Sequence, residues 1–124
     1  MIAGDTSSIS AYFKGDSGSD VDRIDLALQN GELILPPAVL AELLGDPASS
    51  AGYREVIARF ELLEILPGYW TRAGQSRRQL RSRGCRAILG DALIAQSCID
   101  HDVRLITRDP DFRHFAKHCG LELA

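Results

Sequence analysis

Two stretches in the last third of the chain decide the fold: Leu89-Gly90-Asp91-Ala92-Leu93-Ile94-Ala95-Gln96, and Arg104-Leu105-Ile106-Thr107 leading into Asp109-Pro110-Asp111-Phe112. The first reads as a helix of small residues that begins with an acid, and the second as a short apolar strand that ends on acids. In open α/β sheets, ligands bind beyond the carboxyl ends of the strands, where loops and helix starts meet. We therefore expect Asp91 and Asp109 to converge.

Two further acids occupy similar junctions earlier in the chain. Asp5 follows a short apolar start, and Glu42 lies inside the apolar helix predicted to begin at Pro37. Four carboxylates brought together repel one another unless a cation neutralises them. An all-oxygen ligand set suits Mg²⁺ or Mn²⁺, whereas thiolate and imidazole ligands would indicate zinc. The set therefore predicts a divalent metal site.

Each acid taken alone also has a simpler interpretation. Asp5 and Asp109 are good helix N-caps, the latter because Pro110 suits the first turn of a helix. Glu42 is open to interpretation as a solvated helix residue. It lies three residues after Val39, however, close to the apolar face, where an unpaired carboxylate would cost several kcal/mol. We therefore expect a cation or a strong donor beside Glu42.

Composition indicates one ordinary globular domain. The 124 residues are 45% hydrophobic and 25% charged, and the net charge of -3 argues against coating nucleic acid through general positive charge. No apolar run approaches the roughly 20 residues of a membrane span, and no basic then apolar signal sequence begins the chain. We expect a cytoplasmic protein with no membrane contact. Cys85, Cys98 and Cys119 show no paired spacing and are expected to be reduced.

Strand and helix signals alternate along the chain. Short apolar runs at Met1–Gly4, Leu33–Leu35, Leu62–Leu66 and Arg104–Thr107 predict four strands, and Leu121–Leu123 predicts a fifth at an edge. Helical segments separate these runs. The alternation is typical of an α/β domain with a short, mainly parallel sheet of four to five strands covered by helices on both faces.

A basic stretch from Thr71 to Arg86 is predicted to be helical. It holds six of the chain's twelve arginines: Arg72, Arg77, Arg78, Arg81, Arg83 and Arg86. A charge run usually forms a solvated helix face. Because no Asp or Glu occurs from Thr71 to Leu89 and the chain is acidic overall, a surface for phosphates or an acidic partner is the second interpretation.

Four short motifs follow one another in order over nearly the whole chain: Asp5-Thr6-Ser7, Val39-Leu40-Ala41-Glu42-Leu43, Gly90-Asp91-Ala92-Leu93-Ile94-Ala95, and Leu105-Ile106-Thr107-Arg108-Asp109-Pro110-Asp111-Phe112. In these motifs the chain resembles PIN-domain ribonucleases, particularly the VapC-type toxins of toxin–antitoxin pairs. The resemblance implies a single PIN-like domain over residues 1–124, with three α/β/α layers.

The same resemblance implies the functional residues and partners. The catalytic and metal-binding quartet would be Asp5, Glu42, Asp91 and Asp109, supported by Thr6, Thr107 and Asp111. The metal would be Mg²⁺ or Mn²⁺, and the reaction would be hydrolysis of RNA phosphodiester bonds. A small cognate antitoxin would be the protein partner, and the arginine stretch would contact RNA or antitoxin.

Other functions stay open on the sequence. A non-catalytic PIN-like binding module and an RNA-processing PIN nuclease that is not a toxin are the two alternatives. An aspartyl-phosphate phosphatase is disfavoured, because Ser7 stands two residues after Asp5, where a second acid would be needed. The segments Pro36–Leu44 and Tyr53–Phe60 carry more apolar surface than one small sheet requires, and the resembling family usually pairs symmetrically. We therefore expect a homodimer.

Overall fold

A computed structural model, which describes residues Met1–Ala124, shows three strands and seven helices. The elements are β1 (Ile2–Gly4), α1 (Thr6–Phe13), α2 (Ser19–Gln29), β2 (Leu33–Ile34), α3 (Pro37–Leu44), α4 (Ala51–Ile57), α5 (Tyr69–Ser82), α6 (Leu89–His101), β3 (Leu105–Ile106) and α7 (Phe112–Cys119). None of the helices combines the length and the apolar character needed to cross a membrane.

The three strands form one parallel sheet in the order β2-β1-β3. Ile2 of β1 pairs with Leu33 of β2, and Gly4 pairs with Ile106 of β3. Nearly every strand residue is buried, although successive side chains of a strand point to opposite faces. Helices therefore cover both faces, as expected. Because the strands are parallel, their carboxyl ends lie at one edge of the sheet.

The sheet is smaller than the four to five strands expected from the sequence. Leu62 forms a single parallel bridge to Leu35, and Leu123 forms a single parallel bridge to Leu105, so neither run is a strand. In the run after Glu61, only Leu63 is buried, and the neighbouring Leu62 and Leu66 are not. A run that buries a single side chain gains too little to extend the ladder.

Gly4 lets two helices press against the central strand where it delivers Asp5. A Cβ atom at Gly4 would lie 2.8 Å from Cδ1 of Ile24 and 3.0 Å from Cδ1 of Ile9. Both isoleucines are fully buried in the core of 22 residues. Side chains of α1 and α2 therefore fill the space beside Gly4, and the first strand forms despite its glycine.

The boundaries of α5 and α6 differ from the expected ones. α5 ends at Ser82, and Gly84 adopts a φ of 74°, so Arg83 and Arg86 lie outside the helix. α6 begins at Leu89, so Asp91 lies within its first turn and does not open it. The basic stretch is therefore a helix followed by a loop.

An ion pair that was not predicted from the sequence joins α2 to the loop after β3. Arg108 donates from Nε to Asp20 Oδ2 at 2.8 Å and from Nη2 to Asp20 Oδ1 at 3.1 Å. The hydroxyl of Ser8 donates to the same carboxylate at 2.8 Å. These donors, Arg108 foremost, lower the pKa of Asp20 from 3.8 to about 2. The pair fixes the loop that carries Asp109.

Replacing Asp20→Asn should lower the free energy of unfolding at neutral pH by about 1 kcal/mol, a figure reduced because the Arg108 guanidinium is partly exposed. The pKa of Asp20 is lower in the folded state, so its contribution is present above 3.8 and is lost as the pH falls towards about 2. Urea unfolding at a series of pH values should show the difference between parent and variant shrinking in acid. Asp22→Asn, at an exposed position of the same helix, is the control. Equal losses in both variants would contradict the role of the pair.

Candidate metal centre and catalytic site

Asp5 and Thr107 meet because each directly follows one of two adjacent strands. Thr107 Oγ1 donates to Asp5 Oδ2 at 2.5 Å, and Ser7 Oγ donates to the same oxygen at 2.8 Å. The backbone N–H of Ser8 donates to Asp5 Oδ1 at 2.9 Å, which makes Asp5 the N-cap of α1. The N-cap interpretation of Asp5 is confirmed. Its role as a metal ligand stays a prediction.

Three acids form the tightest cluster at this edge of the sheet. One carboxylate oxygen each of Asp91, Asp109 and Asp111 lies within 4.8 Å of the others. Asp109 does not cap α7 as predicted, because the helix begins at Phe112 after Asp111. Asp109 Oδ1 instead accepts from the backbone N–H of Asp111 at 2.9 Å, and the Asp109 N–H donates to Thr107 Oγ1 at 3.0 Å. This local turn aims two carboxylates at the start of α6.

Asp91 is the least compensated acid of the cluster. Its residue surface is only 7% exposed, and no hydrogen-bond donor or cation lowers its pKa. Burial raises the pKa of Asp91 from 3.8 to about 6, and the negative charges of Asp109, Asp111, Glu42 and Asp5 add to the effect in that order. All four members of the predicted quartet therefore lie in one electrostatic field.

Asp5 is a second buried acid whose pKa is raised. Burial raises the pKa of its carboxyl group, and the charge of Asp109 adds a smaller push in the same direction. The hydrogen bonds from Thr107, Ser8 and Ser7 oppose this rise by favouring the charged form. The donors thus stabilise the carboxylate of Asp5 at the place where the strands end.

Glu42 approaches the cluster from α3. The expectation that it lies close to the apolar face is wrong, because Val39 and Leu43 form the buried face and Glu42 is exposed. The strong donor expected beside it is present, since Thr6 Oγ1 donates to Glu42 Oε1 at 2.7 Å. A Cβ at Gly90 would lie 3.4 Å from Glu42 Oε2. Glycine therefore lets this carboxylate approach α6.

The donor set fits a hard divalent cation. It consists of carboxylate oxygens, with hydroxyl groups behind them that orient Asp5 and Glu42. Arg86 approaches the cluster, but its Nε lies 3.5 Å from Asp111 Oδ2 and its side chain is mostly exposed. Such a contact compensates little charge. A cation among Asp91, Asp109 and Asp111 would neutralise the carboxylates whose charges add to the rise that burial causes in the pKa of Asp91.

The six arginines of the basic stretch divide into two groups. Arg72 binds Asp100 of α6 through Nε at 2.9 Å and Nη2 at 2.7 Å, and Arg77 Nε donates to the carbonyl of Ala87 at 2.8 Å. These two arginines and Arg86 have partners within the fold. The other three make no ion pair: Arg78, Arg81 and Arg83. Neither interpretation of the stretch therefore holds for all six residues.

Three residues near the site were missed from the sequence. Ser7 was given no role in the site, yet it donates to both oxygens of Asp5. Asp20 and Arg108 fix the loop of Asp109 although 88 residues separate them. No local pattern reveals a pairing at that distance. The serine following an N-cap aspartate was a usable signal, because Asp and Ser side chains commonly bond locally at helix starts.

Comparison with known proteins gives a family and a fold. The sequence profile described as PIN domain matches residues 2–118. No curated protein matches the sequence closely enough to count as a relative.

Three solved structures are similar over nearly all of their length. VapBC2 from Rickettsia felis, bound to a DNA fragment from its promoter, matches with a TM-score of 0.71 at 24% identity, over 100% of this chain and 98% of that chain. VapBC-5, of the VapBC family of toxin-antitoxin systems from Mycobacterium tuberculosis, matches with 0.69 at 22%, over 98% and 95%. FitAcB from Neisseria gonorrhoeae matches with 0.71 at 19%, over 99% and 96%.

At these identities the structural likeness establishes the fold, while the family follows from the profile. The profile covers the sheet, all four acids of the predicted quartet and most of α7. The TM-scores of 0.69 to 0.71 over nearly the whole chain show that the three structures share its fold. The chain therefore belongs to the PIN-domain family.

Proposed function

We propose that this PIN domain is a metal-dependent endoribonuclease that hydrolyses RNA phosphodiester bonds. The observation that carries the proposal is the cluster of Asp91, Asp109 and Asp111, whose oxygens lie within 4.8 Å of one another. A protein with no use for a cation gains nothing from this arrangement, because burial and the neighbouring carboxylates hold the pKa of Asp91 at about 6. That cost favours a nuclease over a non-catalytic binding module.

The residues would act in two sets. Asp91, Asp109 and Asp111 would hold Mg²⁺ or Mn²⁺, with Asp5 and Glu42 completing the acidic surface. When bound, such a metal supplies an activated water and neutralises charge that develops on the phosphate. Thr107 and Thr6 would keep the carboxylates of Asp5 and Glu42 in position through their hydrogen bonds.

Other nucleophiles near the site are unsuited to the reaction. Burial raises the pKa of the Cys98 thiol to about 12, so it stays protonated at neutral pH. His101 is engaged with the carbonyl of Glu64 at 2.7 Å, away from the acids. No histidine or cysteine belongs to the acidic cluster. The available chemistry is therefore that of carboxylates and a metal-activated water.

We further propose that the protein is the toxin of a VapBC-type pair, with a small antitoxin as partner. Two of the similar structures are VapBC proteins, and each matches almost the whole of this chain. An RNA-processing PIN nuclease that is not a toxin would share the same acids. A neighbouring reading frame that encodes a short protein with a DNA-binding start and an amphipathic tail would favour the toxin, and its absence would favour the alternative.

The expected homodimer is a prediction of this proposal. Leu44 of α3 and Val56 of α4 are exposed apolar side chains on the two segments expected to pair. Light scattering at micromolar concentration, without antitoxin, should give about twice the chain mass of 13.6 kDa. The double variant Leu44→Ser with Val56→Ser should shift the mass towards the monomer, whereas Leu26→Ser, exposed on α2, should not. A parent protein of 13.6 kDa would contradict the prediction.

RNA cleavage is the direct test of the proposed activity. The parent should cleave RNA in Mg²⁺ or Mn²⁺, should stop when a chelator is in excess, and should recover when metal is restored. Asp109→Asn should lower the rate at least about a hundredfold, because it removes a carboxylate that the metal needs. Glu55→Gln, an exposed carboxylate of α4 outside the cluster, should cleave like the parent. Cleavage that persists in chelator would refute the metal mechanism.

A further inference from the structure

Trp70 is an exposed aromatic side chain beside the acidic site. It is 66% exposed, the largest exposed fraction of any large apolar residue in the chain. It lines a groove of about 450 Å³, within the usual size of small-ligand sites. Glu42 and Gly90 line the same groove, so it opens directly onto the acidic surface. Most of its other lining residues are apolar: Leu89 and Leu93 of α6, and Pro37, Ala38 and Ala41 of the α3 segment on which the expected homodimer also rests.

The indole of Trp70 packs against the ring of the buried Tyr69. Its ring meets that of Tyr69 edge to face, with centroids 5.0 Å apart and an interplanar angle of 83°. Tyr69 is buried and donates from its hydroxyl to the carbonyl of Leu93 at 2.6 Å. One turn away, Arg72 binds Asp100 and also the carbonyl of Pro67 at 2.8 Å. The start of α5 is therefore tied to α6, and Trp70 remains largely exposed.

Arginine side chains lie next to the groove along α5. A second depression is lined by Arg77, Arg78 and Arg81, and it shares Leu89 with the apolar groove. Arg78 and Arg81 have no carboxylate partner in the fold. A continuous surface thus runs from the carboxylate of Glu42, past the exposed Trp70, to the guanidinium groups of Arg78 and Arg81. An unpaired nucleotide segment offers matching groups: phosphates for a metal and for arginines, and a base for an aromatic face.

We propose that Trp70 is a stacking platform for an unpaired base of the RNA substrate, placed between a phosphate at the acidic site and a phosphate at Arg78 and Arg81. The inference rests on the proposed ribonuclease function and adds to it the residue that would bind a base of the substrate. A duplex keeps its bases stacked and paired, so it presents no free face to Trp70. An apolar peptide would fill the groove but would leave the two arginines without anionic partners.

Trp70 is the only tryptophan, so its fluorescence reports on the groove alone. In stopped-flow mixing, which reads binding before cleavage, the parent protein in Mg²⁺ is titrated with a single-stranded RNA of about ten nucleotides and with the matching duplex. The single strand should quench the fluorescence and the duplex should quench it much less. No quenching by the single strand, or equal quenching by both, would overturn the stacking role.

The KM and kcat of RNA cleavage by the parent and by its Trp70 variants give a second test. Trp70→Ala should raise KM about fivefold or more with little change in kcat, whereas Trp70→Phe, which keeps an aromatic face, should recover most of the loss. Leu26→Ala, at an exposed apolar position on α2, is the control. If the parent cleaves RNA and Trp70→Ala has parental KM, the stacking inference falls while the proposed function stands. Quenching without cleavage would support the inference and refute the function.

The arginine arm of the surface is tested by salt dependence. The pair Arg78→Gln and Arg81→Gln should weaken binding of the single strand and lower the slope of log affinity against log salt by about 1.4. The pair Arg23→Gln and Arg59→Gln carries the same charge change elsewhere on the surface and should leave the slope unchanged. Equal slopes in the two pairs would overturn the phosphate contact at α5.

The competing occupant is a second copy of this chain. Light scattering of the Trp70→Ala protein tests whether a second copy of the chain covers the groove. If the substitution turns a dimer into a monomer, the groove belongs to the subunit interface and the proposal is overturned. An unchanged mass together with weaker RNA binding supports it.

Discussion

Repulsion among carboxylates at one edge of a small parallel sheet is the constraint on which the rest of this structure depends. Asp91, Asp109 and Asp111 come within 4.8 Å of one another, and Asp5 and Glu42 add their charges to the same field. Surface acids avoid such an arrangement when nothing compensates it. The fold therefore has to hold the acids in place against a force that would separate them, and it does so from several elements at once.

Each holding contact starts from a different part of the chain. Thr107 at the end of β3 holds Asp5 at the end of β1, and Thr6 at the start of α1 holds Glu42 of α3. Arg108 anchors the loop of Asp109 to α2 through Asp20. Two glycines remove side chains where elements must approach, Gly4 under α1 and α2, and Gly90 beside Glu42. The site is thus assembled by tertiary contacts, which is why isolated motifs only hint at it.

Much of this arrangement could be predicted from the sequence, and the failures have physical causes. The strands that carry Asp5 and Thr107 were predicted because short buried runs ended on polar residues, and parallel topology then brought their ends together. Glu42 was misplaced because three residues from Val39 on a helix allows either the apolar edge or the exposed side. The run at Leu62–Leu66 was counted as a strand because apolar composition alone does not reveal how many side chains are buried. The close approach of Asp111 to Asp91 and Asp109 was not predicted, because the turn of Asp111 with Asp109 depends on a local hydrogen bond.

The most direct test of the account is the stability of Asp91→Asn with and without Mn²⁺. Without metal, the pKa of Asp91 is about 6 in the folded state and 3.8 in the unfolded state. The parent therefore loses stability as the pH rises from 3.8 to about 6, while the variant, whose side chain at this position is neutral, does not. At pH 7 the metal-free variant should be more stable by about 2 kcal/mol. Millimolar Mn²⁺ should reverse the order, because it binds only the folded parent site tightly. A variant that is less stable without metal, or that gains as much from Mn²⁺ as the parent, would contradict the account.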